Sequence, residues 1–200
     1  MTLPVTAIIL AGGGATRMGG RDKGLIPLAG RPMIAWAIAA IAPWVDTLII
    51  NANRNIEAYE SFGYPVIGDG IAGASGPLAG LAAGLAACRN RWLLTVPCDT
   101  PAVPAALPRR LVAEIDDHPA AIAHNGLRLQ PAHALLSACL GDRLAAFMAQ
   151  GDRRLHAWYA TLDTRIVDFA DHRDAFDNVN TPEQHVAMEA RLLGRPQEDQ

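Results

Sequence analysis

The chain has 200 residues, half of them apolar, with a formal net charge of −3 at pH 7 and a pI near 6.0. That length provides one hydrophobic core and excludes a series of independent domains. The near-neutral charge excludes a basic surface for nucleic acid, and the apolar content excludes a disordered chain. All but one of the 17 basic residues are Arg, and the exception is Lys23.

No segment of the sequence resembles a signal for export or membrane insertion. The N-terminus lacks a basic stretch before its apolar run, and no run of about 18 apolar residues occurs. The cysteines, Cys88, Cys98 and Cys139, lie far apart, and the histidines show no metal-type spacing with them. We therefore expect no disulfide and a cytoplasmic location.

Short apolar runs alternate with helical patterns through the first half of the chain. In chain order, the predicted elements are strand Val5–Leu10, helix Arg31–Ala42, strand Thr47–Asn51, helix Arg54–Ser61, strand Tyr64–Ile67, helix Pro77–Cys88, strand Trp92–Val96 and helix Leu107–Ile115. Pro32 and Pro77 stand at favourable positions for opening helices. The alternation predicts a mostly parallel, Rossmann-like sheet with helices on both faces, in which ligands bind beyond the carboxyl ends of the strands.

The second half is less regular. Its predicted elements are strands Ala120–His124 and Leu127–Leu136, helices at about 140–150 and 152–160, a strand near Arg165–Phe169 and a helix capped by Thr181. The intervening Asn125-Gly126 predicts a β-hairpin. We expect a single α/β domain over residues 1–194 with this small hairpin in its C-terminal half, and a disordered tail over 195–200.

A glycine-rich segment, LAGGGATRMGGRDKG, spans residues 10–24 directly after the first strand. It fits neither the P-loop, which needs Lys-Ser/Thr after its last glycine, nor the dinucleotide fingerprint, because Arg17 occupies the third glycine position. Backbone amides together with Arg17 and Lys23 are suited to binding a triphosphate. The alternative is a tight turn with a solvated lysine.

Polar side chains also follow the other predicted strands. Asn51 ends the second strand, Asp69 follows the third, and Asp99 follows the fourth between two prolines. A carboxylate at the position of Asp99 is suited to hold Mg²⁺ against phosphate oxygens. Asp69 alone is equally typical of a turn, and the neighbouring Cys98 is better explained as a small buried residue than as a nucleophile.

Several of these blocks together resemble the nucleotidyltransferase superfamily, and in detail its molybdenum cofactor guanylyltransferase family. The matching blocks are LAGG at 10–13, RMG at 17–19, DKGL at 22–25, NANR at 51–54, GPLAG at 76–80, PCDTP at 97–101 and NVNTPE at 178–183. Their order along nearly the whole chain is more specific than any single motif.

The resemblance implies transfer of GMP from GTP to the terminal phosphate of molybdenum-molybdopterin, with Mg²⁺ and with release of pyrophosphate. It implies a GTP-binding half over about 1–103 and a molybdopterin-binding half over about 104–194. The implied GTP contacts are Leu10, Ala11, Gly12, Gly13, Gly14, Lys23, Asn51, Asp69, Gly76, Pro77 and Asp99. Catalysis would depend on Arg17, Lys23 and Asp99, with Asp99 also binding Mg²⁺ and Asp69 contacting guanine or ribose.

On the acceptor side the resemblance implies that Arg154, Asn178 and Asn180 bind molybdopterin. The alternatives are that the asparagines cap the final helix and that Arg154 is a solvated residue at a helix start. Gln130 stands where the family often has His, so its role is open. The implied partners are GTP, molybdopterin, other proteins of molybdenum-cofactor synthesis and recipient molybdoenzymes; we expect a monomer that binds neither nucleic acid nor membrane.

Two other functions are consistent with the same residues. One is a related transferase that uses CTP or a different phosphorylated acceptor. The other is a pterin carrier that keeps the fold without catalysis, which the presence of both Lys23 and Asp99 disfavours.

Overall fold

The computed structural model describes residues 2–12, 22–70 and 76–194. Its strands are β1 (Leu3–Leu10), β2 (Pro27–Leu28), β3 (Arg31–Pro32), β4 (Val45–Asn51), β5 (Val66–Ile67), β6 (Trp92–Pro97), β7 (Ala120–His124), β8 (Leu129–Ser137) and β9 (Thr164–Asp168). Its helices are α1 (Met33–Ile41), α2 (Ile56–Glu60), α3 (Pro77–Ala87), α4 (Leu107–Glu114), α5 (Gly141–Ala149), α6 (Leu155–Tyr159) and α7 (Pro182–Leu193). The predicted tail, 195–200, lies outside the described residues.

Seven strands form one sheet in the order β5-β4-β1-β6-β8-β7-β9. The pairs on either side of β1 and β4 are parallel, as is β7 with β9, whereas β8 runs antiparallel to both β6 and β7. The sheet is therefore mostly parallel, as predicted, and the pair β7–β8 is the predicted C-terminal hairpin. A further two-stranded hairpin, β2–β3, lies apart from the main sheet.

Helices cover both faces of the sheet, and alternate residues of β1 supply the two cores. Ala7 and Ile9 pack with α1 and α4 on one face, whereas Ile8 packs with α3, α5 and α6 on the other. Because successive side chains of a strand point to opposite faces, a strand buried on both sides must be apolar throughout. This explains the continuous apolar run that predicted β1.

The helix predicted over Arg31–Ala42 begins two residues later than expected. Arg31 and Pro32 pair with Pro27 and Leu28 in the β2–β3 hairpin, and Met33 donates its backbone N–H to the carbonyl of Ile26 at 3.0 Å. The third predicted strand is likewise shorter, since only Val66–Ile67 pairs with β4. Local propensity did not reveal these tertiary pairings.

The final helix, α7, closes over the hairpin β2–β3. Met188 and Leu192 pack against Leu28 in a separate apolar cluster. Glu189 accepts a hydrogen bond from the backbone N–H of Ala29 at 2.7 Å. Apolar packing and a hydrogen bond thus hold α7 against the segment that follows the glycine-rich loop. Among the described residues, no helix is long and apolar enough to cross a membrane.

Candidate active site

A cavity of about 220 Å³ opens at the carboxyl ends of the central strands. The register brings Leu10 beside Asn51 on one side and Pro97 on the other, so the residues after β1, β4 and β6 meet there. The cavity is lined by Leu10, Ala11, Gly12, Asp22, Lys23, Asn51, Gly76, Pro77, Pro97, Cys98, Asp99, Ala132 and Asn178. Nine of the sequence-predicted site residues are in that set. Gly13, Gly14 and Arg17 lie outside the described residues.

Lys23 faces the residues that follow β6. Its Nζ lies 3.4 Å from Oδ2 of Asp99 and also donates a hydrogen bond to Oδ1 of Asn180. The lysine side chain is 23% exposed and that of Asp99 is 15% exposed. A cation and a carboxylate therefore share one end of the cavity, where both can meet a charged ligand.

Asp99 is held in a largely dry position. Burial raises the pKa of its carboxyl group above the ordinary value, and the charge and hydrogen bond of Lys23 act in the opposite direction. A carboxylate whose charged form is disfavoured by burial gains from a further cation. Its hard oxygen donors suit Mg²⁺, which commonly takes one or two protein carboxylates and completes its shell with phosphate oxygens and water.

Asp99 is the only predicted metal ligand. Among residues 2–12, 22–70 and 76–194 there is no group of three or more His, Cys, Asp or Glu side chains able to enclose a metal ion by themselves. A metal at Asp99 would therefore depend on oxygens of the substrate. The neighbouring Cys98 is buried, and burial raises the pKa of its thiol, which fits a packing residue rather than a nucleophile.

Three polar side chains form a network beyond β4. Asn51 donates to Oδ1 of Asp69 at 3.0 Å, and Asn53 donates to Oδ2 at 2.8 Å. The backbone N–H of Asp69 donates to Oδ1 of Asn53 at 2.8 Å, which fixes the loop from the other side. Asp69 is therefore an oriented acceptor whose remaining lone pairs are available to a ligand.

Two glycines make room for this network. A Cβ on Gly12 would lie 3.0 Å from Nδ2 of Asn53 and 3.1 Å from Oδ1 of Asn51. A Cβ on Gly80, in α3, would lie 2.3 Å from the same Oδ1 and 2.9 Å from Leu10. Glycine at these positions lets the backbone after β1 and the helix α3 approach Asn51 closely.

The start of α3 also faces the cavity. Gly76, with φ at 98°, is its N-cap, and Pro77 occupies the first helical turn where no N–H is needed. The free amides and the dipole at a helix N-terminus favour an anionic ligand. This end of α3 thus adds to the positive character that Lys23 provides.

The segment before α7 contributes Asn178 and Asn180. Helix capping, the alternative considered for them, is performed by other residues. Gln184 donates its backbone N–H to Oγ1 of Thr181 at 3.3 Å, and its own side chain accepts from the N–H groups of Thr181 and Asn180. Thr181 is the N-cap, as predicted. The side chain of Asn180 consequently remains directed to Lys23, and Asn178 lines the cavity.

An irregularity in β8 brings Ala132 to the cavity. Ile122 pairs with Ala134 but the next residue, Ala123, pairs with Gln130, so three residues of β8 bulge out of register. The side chain of Thr95 donates to the carbonyl of Ala132 at 3.0 Å and accepts the N–H of Ala134 at 3.3 Å. Ala132 was not predicted as a site residue, because no side-chain chemistry in the sequence indicates the bulge.

The remaining predicted residues lie elsewhere or have other partners. Arg154 is an exposed residue at the N-cap of α6, and its guanidinium hydrogen-bonds the carboxylate of Asp152. Gln130 is buried, and its side-chain nitrogen has no hydrogen-bond partner. Asp22, which the sequence analysis did not single out as a site residue, lines the cavity directly before Lys23.

A known protein family matches most of this chain. The family model of the MobA-like NTP transferase domain matches residues 7–166, which includes the second half of β1, all of β2 to β8 and most of β9. The chain belongs to this family. As a MobA-like transferase it is an enzyme, a nucleotidyltransferase, and the resemblance drawn from the sequence blocks is confirmed.

Curated relatives identify the branch of the family to which the chain is similar. The molybdenum cofactor guanylyltransferases of Shewanella sediminis and Shewanella amazonensis are each 46% identical over 186 residues, which is 92% of this chain and 95% of either relative. This MobA-like chain is therefore a member of the molybdenum cofactor guanylyltransferase family along nearly its full length.

Solved structures share the fold. Molybdopterin-guanine dinucleotide biosynthesis protein A from Archaeoglobus fulgidus has a TM-score of 0.79 at 20% identity and covers 95% of this chain and 100% of its own. A 2-C-methyl-D-erythritol 4-phosphate cytidylyltransferase from Thermus thermophilus has a TM-score of 0.70 at 15% identity, covering 96% of this chain and 100% of its own. These likenesses support the MobA-like fold.

Proposed function

We propose that the enzyme transfers GMP from GTP to the terminal phosphate of molybdenum-molybdopterin, forming molybdopterin guanine dinucleotide. The observation that carries the proposal is the contact of Lys23 with Asp99 in the cavity that Asn51 also lines, in a chain 46% identical to guanylyltransferases. Asp69 does not line the cavity itself, but Asn51 connects it to the cavity wall through a hydrogen bond.

The reaction is a displacement at phosphorus. An oxygen of the terminal phosphate of molybdopterin forms a bond to the α-phosphorus of GTP. The bond from that phosphorus to the bridging oxygen of the β-phosphate breaks, and pyrophosphate leaves with the electron pair. Such transfers need in-line placement of the two substrates and compensation of phosphate charge more than covalent help from protein.

The described residues supply both needs. Lys23 would place positive charge beside the phosphates, and the dipole at the start of α3 would favour the same anion. Asp99 would hold Mg²⁺. When bound, Mg²⁺ offsets negative charge on the triphosphate and the leaving pyrophosphate. Arg17, for which the sequence predicts a further cation, remains a prediction.

Asp69 selects the base in this proposal. Both of its oxygens already accept from asparagine amides, and each retains a lone pair that can accept N1–H or N2–H of guanine. The test compares GTP with inosine triphosphate, which lacks the 2-amino group, in wild type and in Asp69→Asn. Loss of discrimination in the variant supports the guanine contact. Equal loss for both nucleotides assigns Asp69 to the ribose instead.

The acceptor occupies the side of the cavity formed by the C-terminal half. Asn178 and Ala132 line that side, and Asn180 reaches Lys23 from it. Arg154 remains a predicted acceptor contact. The division into a GTP half and a molybdopterin half at about residue 103 also stays a prediction, as does action as a cytoplasmic monomer that serves recipient molybdoenzymes.

The deciding experiment is a pyrophosphate-release assay with purified protein, molybdenum-molybdopterin and either GTP or CTP, with and without Mg²⁺. We expect Mg²⁺-dependent release with GTP and formation of the guanine dinucleotide. Faster turnover with CTP would overturn the choice of base. Binding of the pterin without release from either nucleotide would indicate a carrier protein.

A further inference from the structure

Asp22 stands directly before Lys23 and is almost completely buried, with 5% of its side chain exposed. It occupies the N-cap position of the short 3-10 turn Lys23–Leu25, yet its side chain does not cap that turn. Its carboxylate is directed to α2 instead. A buried carboxylate that does not cap the turn indicates that another contact fixes this arm of the site, by which we mean residues 22–24.

The partners of Asp22 come from α2 and from the two residues that precede it. Tyr59 donates its hydroxyl to Oδ1 at 2.5 Å, and Asn55 donates its amide to Oδ2 at 3.0 Å. Nε of Arg54 lies 3.4 Å from the same Oδ2. Tyr59 is fully buried, and burial followed by the hydrogen bond to Asp22 raises the pKa of its phenol, so the hydroxyl stays a donor.

The fit between this arm and α2 is close. A Cβ on Gly24 would lie 2.6 Å from the hydroxyl oxygen of Tyr59, so only glycine fits beside it. Asn55 has φ at 52°, a left-handed conformation that asparagine tolerates better than most residues, and there its amide reaches Asp22. Asp22 and Gly24, the residues on either side of Lys23, therefore both contact Tyr59 of α2.

We propose that Asp22 and Tyr59 form a positioning pair that aims Lys23 at the phosphates of GTP. Asp22 lines the cavity, but its carboxylate is buried against Tyr59 and Asn55 and lies beside the guanidinium of Arg54, whose positive charge disfavours a metal ion there. Its hydrogen bonds hold the backbone from which the Lys23 side chain extends. The inference rests on the proposed function, because it assigns Lys23 to GTP.

The chain offers a direct probe of this role, because Lys23 is its only lysine. Protein labelled at the ε-carbon of lysine with ¹³C gives a single lysine Cε signal in NMR spectra, recorded without nucleotide or acceptor. We expect Tyr59→Phe to shift or broaden that lysine signal and to weaken GTP binding by roughly fivefold to tenfold, within the range for loss of one typical hydrogen bond.

Two further variants control the experiment. Asn55→Gly removes the second donor to Asp22, and glycine adopts the left-handed backbone of this position without strain, so the variant keeps the fold even where Tyr59→Phe reduces stability. We expect it to change the lysine signal and the GTP affinity in the same direction as Tyr59→Phe, but less. Tyr64→Phe deletes a hydroxyl from a partly buried tyrosine outside this arm, and we expect an unchanged lysine signal.

The outcomes separate the inference from the function on which it rests. If wild-type protein binds GTP while Tyr59→Phe and Asn55→Gly keep the wild-type lysine signal and affinity, the positioning pair is refuted and the function stands. If wild-type protein fails to bind GTP, the proposed function fails and the inference fails with it. A lowered melting temperature with an unchanged lysine signal also refutes positioning, because it reveals a purely structural contact.

Discussion

The ammonium group of Lys23 donates a hydrogen bond to the side chain of Asn180, which lies 157 residues further along the chain. The same ammonium contacts Asp99, so three distant segments meet at one nitrogen. The backbone of Asp99 also accepts the N–H of Val179 at 2.9 Å, which joins the end of β6 to the approach to α7. The end of the cavity that the proposed function assigns to the phosphates of GTP therefore includes a residue from the C-terminal half.

Asn180→Ala should weaken GTP binding even without the acceptor, because Lys23 loses a partner that holds its side chain in the cavity. We expect roughly a fivefold rise in Kd, about 1 kcal/mol, as for loss of one typical hydrogen bond. Isothermal titration with GTP measures it. Asn178→Ala is the matched control and should affect chiefly the KM for molybdopterin. An unchanged GTP affinity in Asn180→Ala would restrict Asn180 to the acceptor.

Lys23→Arg should lose much of the activity although it keeps the positive charge. Lysine is a compact charge on a flexible stem, whereas the planar guanidinium of arginine is wider and fixed in shape. The single ammonium nitrogen meets both Asp99 and Asn180, and we expect the wider guanidinium to displace at least one of these contacts. We expect kcat/KM for GTP to fall by roughly tenfold or more, about 1.4 kcal/mol. Near-normal kinetics would show that charge alone suffices.

Gly80→Ala and Gly84→Ala should have different consequences although both add one methyl group to α3. At Gly84 a Cβ would lie 2.8 Å from Cδ1 of Ile8, so overpacking should cost stability of about 1–3 kcal/mol. At Gly80 it would meet Oδ1 of Asn51 and disturb the network around Asp69.

Thermal unfolding and GTP titration distinguish the two glycine variants. We expect both to lower the melting temperature, but only Gly80→Ala to raise the Kd for GTP beyond the range of experimental scatter. If Gly84→Ala weakened GTP binding equally, the effect would come from general displacement of α3. The specific role assigned to Gly80 would then be wrong.

Asp99→Asn should abolish turnover and stabilise the fold at neutral pH. The pKa of Asp99 is higher in the folded state than the value near 3.8 expected in the unfolded chain, so protonation of this carboxyl group favours the folded state. That contribution to stability is complete below pH 3.8 and is lost as the pH rises through the pKa of the folded state. An asparagine carries no such charge. The variant's advantage in melting temperature should be largest at neutral pH and disappear toward pH 3.8. A less stable variant at pH 7 would contradict this account.

Much of the nucleotide side could be predicted from the sequence because its residues follow apolar strands. The carboxyl ends of parallel strands meet at one edge, so Asn51, Asp69 and Asp99 were expected near Lys23 once the strands were recognised. The hairpin signal of Asn125-Gly126 likewise identified β7 and β8.

Other features depend on contacts that no local pattern records. The antiparallel pairing of β8 with β6, the bulge of β8 at Ala132 and the pairing of Asp22 with Tyr59 all arise from tertiary packing. Asn180 illustrates the same limit, since helix capping was its plausible local role. Thr181 was predicted as the N-cap, but the structure shows that Gln184 completes the cap and that the Asn180 side chain meets Lys23 instead.

The packing of α7 against β2–β3 affects the order in which the parts of the cavity come together during synthesis of the chain. The strands β1, β4 and β6, which frame the cavity, precede Asn180 and α7 in the chain and therefore leave the ribosome before them. A nascent chain that ends before α7 lacks one partner of Lys23 and leaves Leu28 without the apolar side chains of Met188 and Leu192. Under the proposed function we expect such a chain to bind GTP more weakly until α7 packs against β2–β3.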